Sequence, residues 1–392
     1  MAQIEQFVED KVENLELIRQ NIRALCKKFP ESYWQEKDEK NEYPEEFIKA
    51  LSDEGWLSVL IPEEYGGAGL GLLEASIILE EINRSGGNAA AGHAQMYTMG
   101  ALLRHGNEEQ KQRYLPKIAS GKLRLQAFGV TEPTAGSDTS SITTTAIRKG
   151  DRYIINGQKI FISRAEHSDL MLLLARTTPK EQVKKRSEGL SLFIVDLREQ
   201  KDRIDIRPID TMINHHTTEI FLENVEVPVE NLIGEEGKGF KYVLSGMNAE
   251  RILIASESIG DGLYFVDKAV KYANERVVFG REIGRNQGVQ FPIAQAYMEV
   301  EAARLMRDKA AVLFDQGKNC GAEANMAKYL ASESAWKAAN AAMTTFGGYA
   351  FAKEYHIERK FREARLFIVA PVTNNLITSY IAQHVLGLPR SY

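Results

Sequence analysis

Two charged residues, Glu250 and Arg251, stand together in the stretch SGMNAERILIASESIG, just ahead of an apolar helical run. A carboxylate in an apolar pocket can act as a general base, whereas the same pair on a helix end is an ordinary salt bridge. A second group lies in GVTEPTAGSD (129–138), where Pro, Gly and three hydroxyls fall within ten residues. Loops of this composition are turns first, but they can also present backbone N–H groups and hydroxyls to an electron-rich ligand. NGQKIFIS places Phe161 and Ser163 on one face of a strand, an aromatic wall beside a hydroxyl. NERVVFG, followed by NQ, brings Arg276, Phe279 and Gln287 to the end of a helix, a guanidinium and a ring suited to a phosphate and a stacked planar group.

Other motifs carry less. GEEGKGF (234–240) has neither dinucleotide-fingerprint nor P-loop spacing and reads as a turn leading into a helix. His215 and His216 are adjacent, and neighbours on a strand point to opposite faces, so no shared metal ion is expected. Cys26 and Cys320 lie far apart and read as packing residues of a reducing compartment.

The elements that must position these groups follow a helical, β, helical order. KVENLELIRQNIRALCKKF spaces Val12, Leu15, Ile18, Ile22 and Leu25 at steps of three and four, one helix face. NEEQKQRYLPKIASG is a later helix, with Asn107 as its N-cap and Gly121 as its stop signal. Between about Leu123 and Leu232 the segments become short and β-branched, with a hairpin turn at Lys149-Gly150-Asp151, which predicts an antiparallel β domain. From Glu235 the helical texture returns in two long Ala-rich segments and a last helix through NLITSYIAQHVLG. The expected fold class is α+β multidomain: a helical domain over 1–122, a β domain over 123–232 and a helical domain over 233–392.

A net charge of −5 gives no general electrostatic reason to bind nucleic acid. The start MAQIEQFVEDKVENLE lacks the layout of a signal or transit peptide, and no apolar run approaches the ~18 residues of a bilayer span, so a soluble cytoplasmic protein is expected.

Taken in order, IPEEYGGAGLG, VTEPTAGSD, NGQKIFIS, ERVVFG and FGGYAF resemble the acyl-CoA dehydrogenase family from about Glu45 to the C-terminus. The resemblance implies a C-terminal four-helix bundle and FAD held by residues of the β domain and of the C-terminal helices. It implies that Val130 and Thr131 contact the flavin pyrimidine end, that Ser137 lies near the pyrophosphate and the CoA arm, and that Phe161 and Ser163 lie against the ring. Many relatives carry Trp and Thr at these last two places. Arg276, Phe279, Gln287, Thr344 and Gly348 would hold the FAD of a neighbouring subunit, making a homo-oligomer (dimer or dimer of dimers), and Thr373 and Asn375 complete the expected cofactor ligands. Electrons would pass to an electron-transferring flavoprotein.

The resemblance also implies the reaction: loss of the α-proton of an acyl-CoA thioester as a base takes it, and of the β-hydrogen as hydride to the flavin. In many relatives that base is a glutamate in the loop which reads FIVAPVTNN here, and Pro371 occupies its position. A second branch, resembling the isovaleryl and long-chain enzymes, carries the base on a helix just before an Arg, and MNAERI matches it with Glu250 as base and Arg251 beside it. Pro371 also lacks the backbone N–H that the family aims at the thioester oxygen; losing one such donor costs roughly 3–4 kcal/mol of transition-state stabilisation. GHAQMYTMGALL should line the acyl pocket, with Gln95, Met96 and Tyr97 near the tail; His93 reads as a satisfied helix residue, and VKKR (183–186) as a solvated loop. The competing readings are a flavin oxidase or monooxygenase of the same fold, kept alive by Pro371, and a non-catalytic binding protein.

Overall fold

The structure, a computed structural model, describes residues 11–390. The opening MAQIEQFVED, on which the expectation about a leader peptide falls, lies outside the described residues. In chain order the helices are α1 (Val12–Cys26), α2 (Glu31–Lys40), α3 (Glu45–Asp53), α4 (Leu72–Arg84), α5 (Ala90–His105) and α6 (Glu108–Ala119). Eight strands come next: β1 (Leu125–Gly129), β2 (Thr145–Lys149), β3 (Arg152–Ser163), β4 (Leu170–Arg176), β5 (Leu190–Asp196), β6 (Ile204–Pro208), β7 (Thr217–Pro228) and β8 (Leu232–Ile233). Then come α7 (Gly239–Glu275), the short ribbon β9 (Val277–Val278) and β10 (Arg281–Glu282), α8 (Gln287–Asp315), α9 (Gly321–Phe346), α10 (Ile357–Val369) and α11 (Asn374–Tyr380). Among the described residues no helix is long and apolar enough to cross a membrane.

The chain divides into two compact units that are not contiguous in sequence. Of the described residues, one holds 11–40, Gly71–Ala89 and 248–390; the other holds Asn41–Leu70 and Ala90–Met247. The helical N-terminal section therefore supplies both units.

The sheet unit is ordered β6-β7-β3-β2-β4-β5-β8, with β1 pairing off this path to β4. The expected hairpin is present: Lys149 pairs with Arg152, and Gly150 takes the positive φ (+64°) that a tight turn requires. Five pairings of the sheet are antiparallel, as expected, while β1 and β2 both pair with β4 in parallel. Alternation along β4 buries both of its faces. Leu170, Leu172 and Leu174 join Met99, Leu102, Leu115 and Ile118 of α5 and α6 in one core. Met171, Leu173 and Ala175 join Tyr153, Ile155, Ile220 and Val225 of β3 and β7 in another. Asn107 caps α6 as expected: its side chain accepts from the Gln110 N–H (2.8 Å), and the Gln110 side chain accepts from the Asn107 N–H in return (3.0 Å).

The helical unit owes its close packing to small residues. Ala324, Ala327, Ala331, Ala335, Ala338 and Ala342 make one buried face of α9. A Cβ on Gly262 of α7 would come within 2.6 Å of Val300 of α8. The acids of α4 are buried and matched by cations. Glu80 receives Arg19 (2.8 Å) and the fully buried Arg307 (2.5 Å), while Glu81 receives Arg19 and Arg23.

Candidate active site

In the sheet unit, one buried ion pair joins the two segments that the sequence singled out. Lys159 points inward from β3 and is fully buried; its Nζ donates to the Val130 carbonyl (3.0 Å) and to Glu132 Oε1 (2.9 Å). Glu132 also accepts from the N–H and hydroxyl of both Thr143 and Thr144, at 2.6 to 2.9 Å. Burial alone would raise the Glu132 carboxyl, but Lys159 and these donors outweigh it and hold the group at about 2. Burial in turn pulls Lys159 down to about 8 against the pull of Glu132. The Ile160 N–H donates to the Thr131 carbonyl (2.9 Å), which completes the junction. Both members lie inside the quoted motifs GVTEPTAGSD and NGQKIFIS, although the groups expected to meet a ligand are their neighbours. A signal exists in the strand pattern, since the inward phase of Tyr153 and Ile155 continues through Gly157 to Lys159.

This junction ties the segment carrying Val130 and Thr131 to the strand that carries Phe161 and Ser163. The β3–β7 register slips between Lys159 and Ile162, and Ile162 turns inward there while Phe161 is left 63% exposed. Phe161 has φ +58°, a conformation that a bulky side chain adopts rarely. Val130 is buried, Thr131 and Ser163 are half-buried, and Ser137 is exposed on its loop. Arg164 comes next at φ +61° and reaches the His215 ring at 3.2 Å. His215 and His216 lie just before β7, not within it. Burial holds the His215 imidazole well below its ordinary value, with Arg164, His93 and His216 adding to the effect.

On α5, Gln95 and Met96 are buried and Tyr97 is half-buried. The Tyr97 ring lies 5.5 Å from Phe128 of β1 and 5.1 Å from His93, which sets this helix beside the strand that leads to Val130. Gln95 Oε1 is buried and accepts no hydrogen bond among the described residues.

In the helical unit, Glu250 is 5% exposed, flanked by the buried Ala249, Ile252 and Leu253. Arg251 Nη1 donates to Asn248 Oδ1 (3.1 Å), while its buried Nε has no partner among the described residues. Burial lowers the Arg251 guanidinium, and Glu250 acts against that shift. Pro371 lies in the connection between α10 and α11. Thr373 caps α11 through the Leu376 N–H (3.3 Å), Asn375 is exposed, and its neighbour Asn374 is buried.

Arg276, Phe279, Gln287, Thr344 and Gly348 are all exposed. The Arg276 guanidinium stands 5.5 Å over the Tyr349 ring, which places it beside Gly348. Phe279 is 101% exposed at φ +52°. Phe161 and Phe279 thus offer two bare rings held by unusual backbone, each with hydrogen-bonding groups near it in sequence. Bare rings with hydrogen-bonding groups beside them fit a cofactor with planar aromatic rings, such as FAD.

Family models match the chain in order: acyl-CoA dehydrogenase N-terminal domain over residues 12–122, middle domain over 127–225 and C-terminal domain over 237–386. The chain is 35% identical to acyl-CoA dehydrogenase FadE12 of Mycobacterium tuberculosis over 98% of its own length and 99% of that protein's. It is 36% identical to subunit CarC of the caffeyl-CoA reductase–Etf complex of Acetobacterium woodii, over 91% of this chain and 94% of that one. A structure of a glutaryl-CoA dehydrogenase–glutaryl-CoA complex superposes with TM-score 0.89 at 34% identity, covering 96% of each chain. With all three domain models matched in sequence and full-length relatives at this identity, the chain belongs to the acyl-CoA dehydrogenase family of FAD-dependent oxidoreductases.

Proposed function

We propose that this chain converts an acyl-CoA thioester to its trans-2-enoyl-CoA with Glu250 as the base, and that an electron-transferring flavoprotein collects the electrons. The observation that carries this reading is a carboxylate at 5% exposure, beside a half-buried guanidinium, in a chain whose expected loop position for the base is Pro371. FAD supplies the two-electron acceptor for the β-hydrogen and its bonding pair. Glu250 takes the α-proton, and the electron pair left on the α-carbon closes the new double bond as the β-hydride departs. The connection at Pro371 offers the Val372 N–H toward the thioester oxygen in place of the missing proline donor.

Val130, Thr131, Phe161, Ser163, Thr373 and Asn375 hold the flavin portion, and Ser137 meets the pyrophosphate and the CoA arm. Arg251 orders the base or the CoA arm, and Gln95, Met96 and Tyr97 line the acyl tail. Arg276, Phe279, Gln287, Thr344 and Gly348 reach the FAD of a second copy; the bare Phe279 ring and the exposed Phe291, Met298 and Leu305, seven residues apart on α8, support pairing of copies. The relative named as part of an Etf complex supports the acceptor.

Anaerobic addition of acyl-CoAs of graded length to the purified yellow protein tests the activity. Bleaching with formation of the enoyl product by mass is expected, and no bleaching by any of them would overturn it. Pro371 favours one second reading, an oxygen-using flavoenzyme; rapid peroxide release on admitting air to the substrate-reduced protein would select it.

A further inference from the structure

The connection Ala370–Thr373 joins α10 to α11 without regular structure, and one side chain grips it from both sides. Lys328 of α9 is fully buried, and its Nζ donates to the Ile368 carbonyl (3.4 Å) before the connection and to Asn374 Oδ1 (2.8 Å) after it. Asn374 is fixed in turn, because its Nδ2 donates to Ser332 Oγ (3.1 Å) and Glu333 Oε1 (2.8 Å), both on α9. Ser332 lies four residues after Lys328, on the same helix face.

A buried ammonium is expensive, by several kcal/mol when no carboxylate answers it. Among the described residues Lys328 makes no ion pair within 4.0 Å; Glu333 attracts it from farther off and Arg251 repels it. Burial and Arg251 together bring the Lys328 ammonium down to about 7. Packing alone would be better served by a methionine. What lysine adds is a set of donors that tie the connection to α9, close enough to the turn carrying Glu250 and Arg251 for its charge to be felt there. Within the connection the Ala370 N–H is used by Leu366 (2.9 Å), Pro371 has none, and the Val372 N–H donates to no described residue.

We propose that Lys328 is a positioning residue, which fixes the α10–α11 connection relative to the Glu250–Arg251 turn so that the Val372 N–H meets the thioester oxygen as the α-proton leaves. This rests on the reading of Glu250 as base. The test uses holoenzyme with Lys328→Met, Lys328→Gln and Glu250→Gln. It measures FAD content, acyl-CoA affinity by calorimetry, kcat and KM, and anaerobic exchange of the substrate α-hydrogen into heavy water.

For Lys328→Met the expected result is unchanged FAD content and affinity within about threefold, with kcat and α-exchange falling together by roughly 10²-fold, the loss typical of one oxyanion donor. Lys328→Gln, which keeps a donor, should recover part of both rates. Wild-type exchange in Lys328→Met, with none in Glu250→Gln, overturns this proposal alone, whereas persistent exchange in Glu250→Gln overturns the base assignment beneath it. Loss of FAD or of fold in both Lys328 variants shows a purely architectural lysine and also overturns it.

Discussion

Lys159→Met removes the ammonium that joins the Val130–Glu132 segment to β3. Glu132 would remain buried, and removing one partner of a buried pair costs about 3–5 kcal/mol. The four donors of Thr143 and Thr144 stay on the carboxylate, which puts this case near the lower end, about 3 kcal/mol. For a unit in the range of 150–250 residues, 1 kcal/mol corresponds to roughly 2–4 °C, so melting should fall by about 6–12 °C. Because the Val130 carbonyl loses its donor as well, FAD affinity should weaken along with stability. Melting of apo- and holoprotein by circular dichroism, with FAD titrated into the apoprotein by fluorescence, separates the two effects. The double variant Lys159→Met/Glu132→Gln, which leaves no buried charge, should melt above the single one. A single variant that melts within about 2 °C of wild type and binds FAD equally well would refute the reasoning.

Three further outcomes rest on contacts of the same kind. Gly157 has φ +154°, and a Cβ there would stand 2.4 Å from Thr144 Oγ1, so Gly157→Ala should lower both melting temperature and FAD affinity, read by the same two assays. Glu80 is held at about 2 because Arg307 and Arg19 outweigh its burial; its folded value is depressed from 4.5, so about 3 kcal/mol of stability present above pH 4.5 is lost as pH falls toward 2, and Glu80→Gln should flatten that part of a denaturant-unfolding series. His167 is pushed down to about 4 by burial, with His216 adding to it, so it should contribute up to one proton to the decline of stability as pH drops from about 6.5 to 4, and His167→Gln should reduce the slope by that share, leaving that of the other depressed histidines such as His215.

Local signals in the sequence are faithful. Asn107 caps its helix, Gly150 turns its hairpin and the alanine steps mark the buried face of α9, because each depends on neighbours within a few residues. Long-range pairing is not legible. The parallel partnership of β1 and β2 with β4 joins segments separated by other strands, and period-two alternation carries no strand order. Glu74, Glu80 and Glu81 of α4 are buried because cations distant in sequence meet them, pairings that no local pattern marks. In the candidate site, the residue types suited to touching a ligand are marked by motif. Lys159 and Glu132 lie within the quoted motifs and Lys328 in none, but that they hold the site in place shows only in contacts that are distant in sequence, beyond the inward strand phase of Lys159.

Removal of the α-proton by Glu250 is open to a direct test. Wild type and Glu250→Gln, matched for FAD content, would be titrated anaerobically with the acyl-CoA that bleaches the wild type best. Full bleaching of wild type and none of the variant over the same period is the predicted result. Equal bleaching of both would contradict the claim and move the base to another residue.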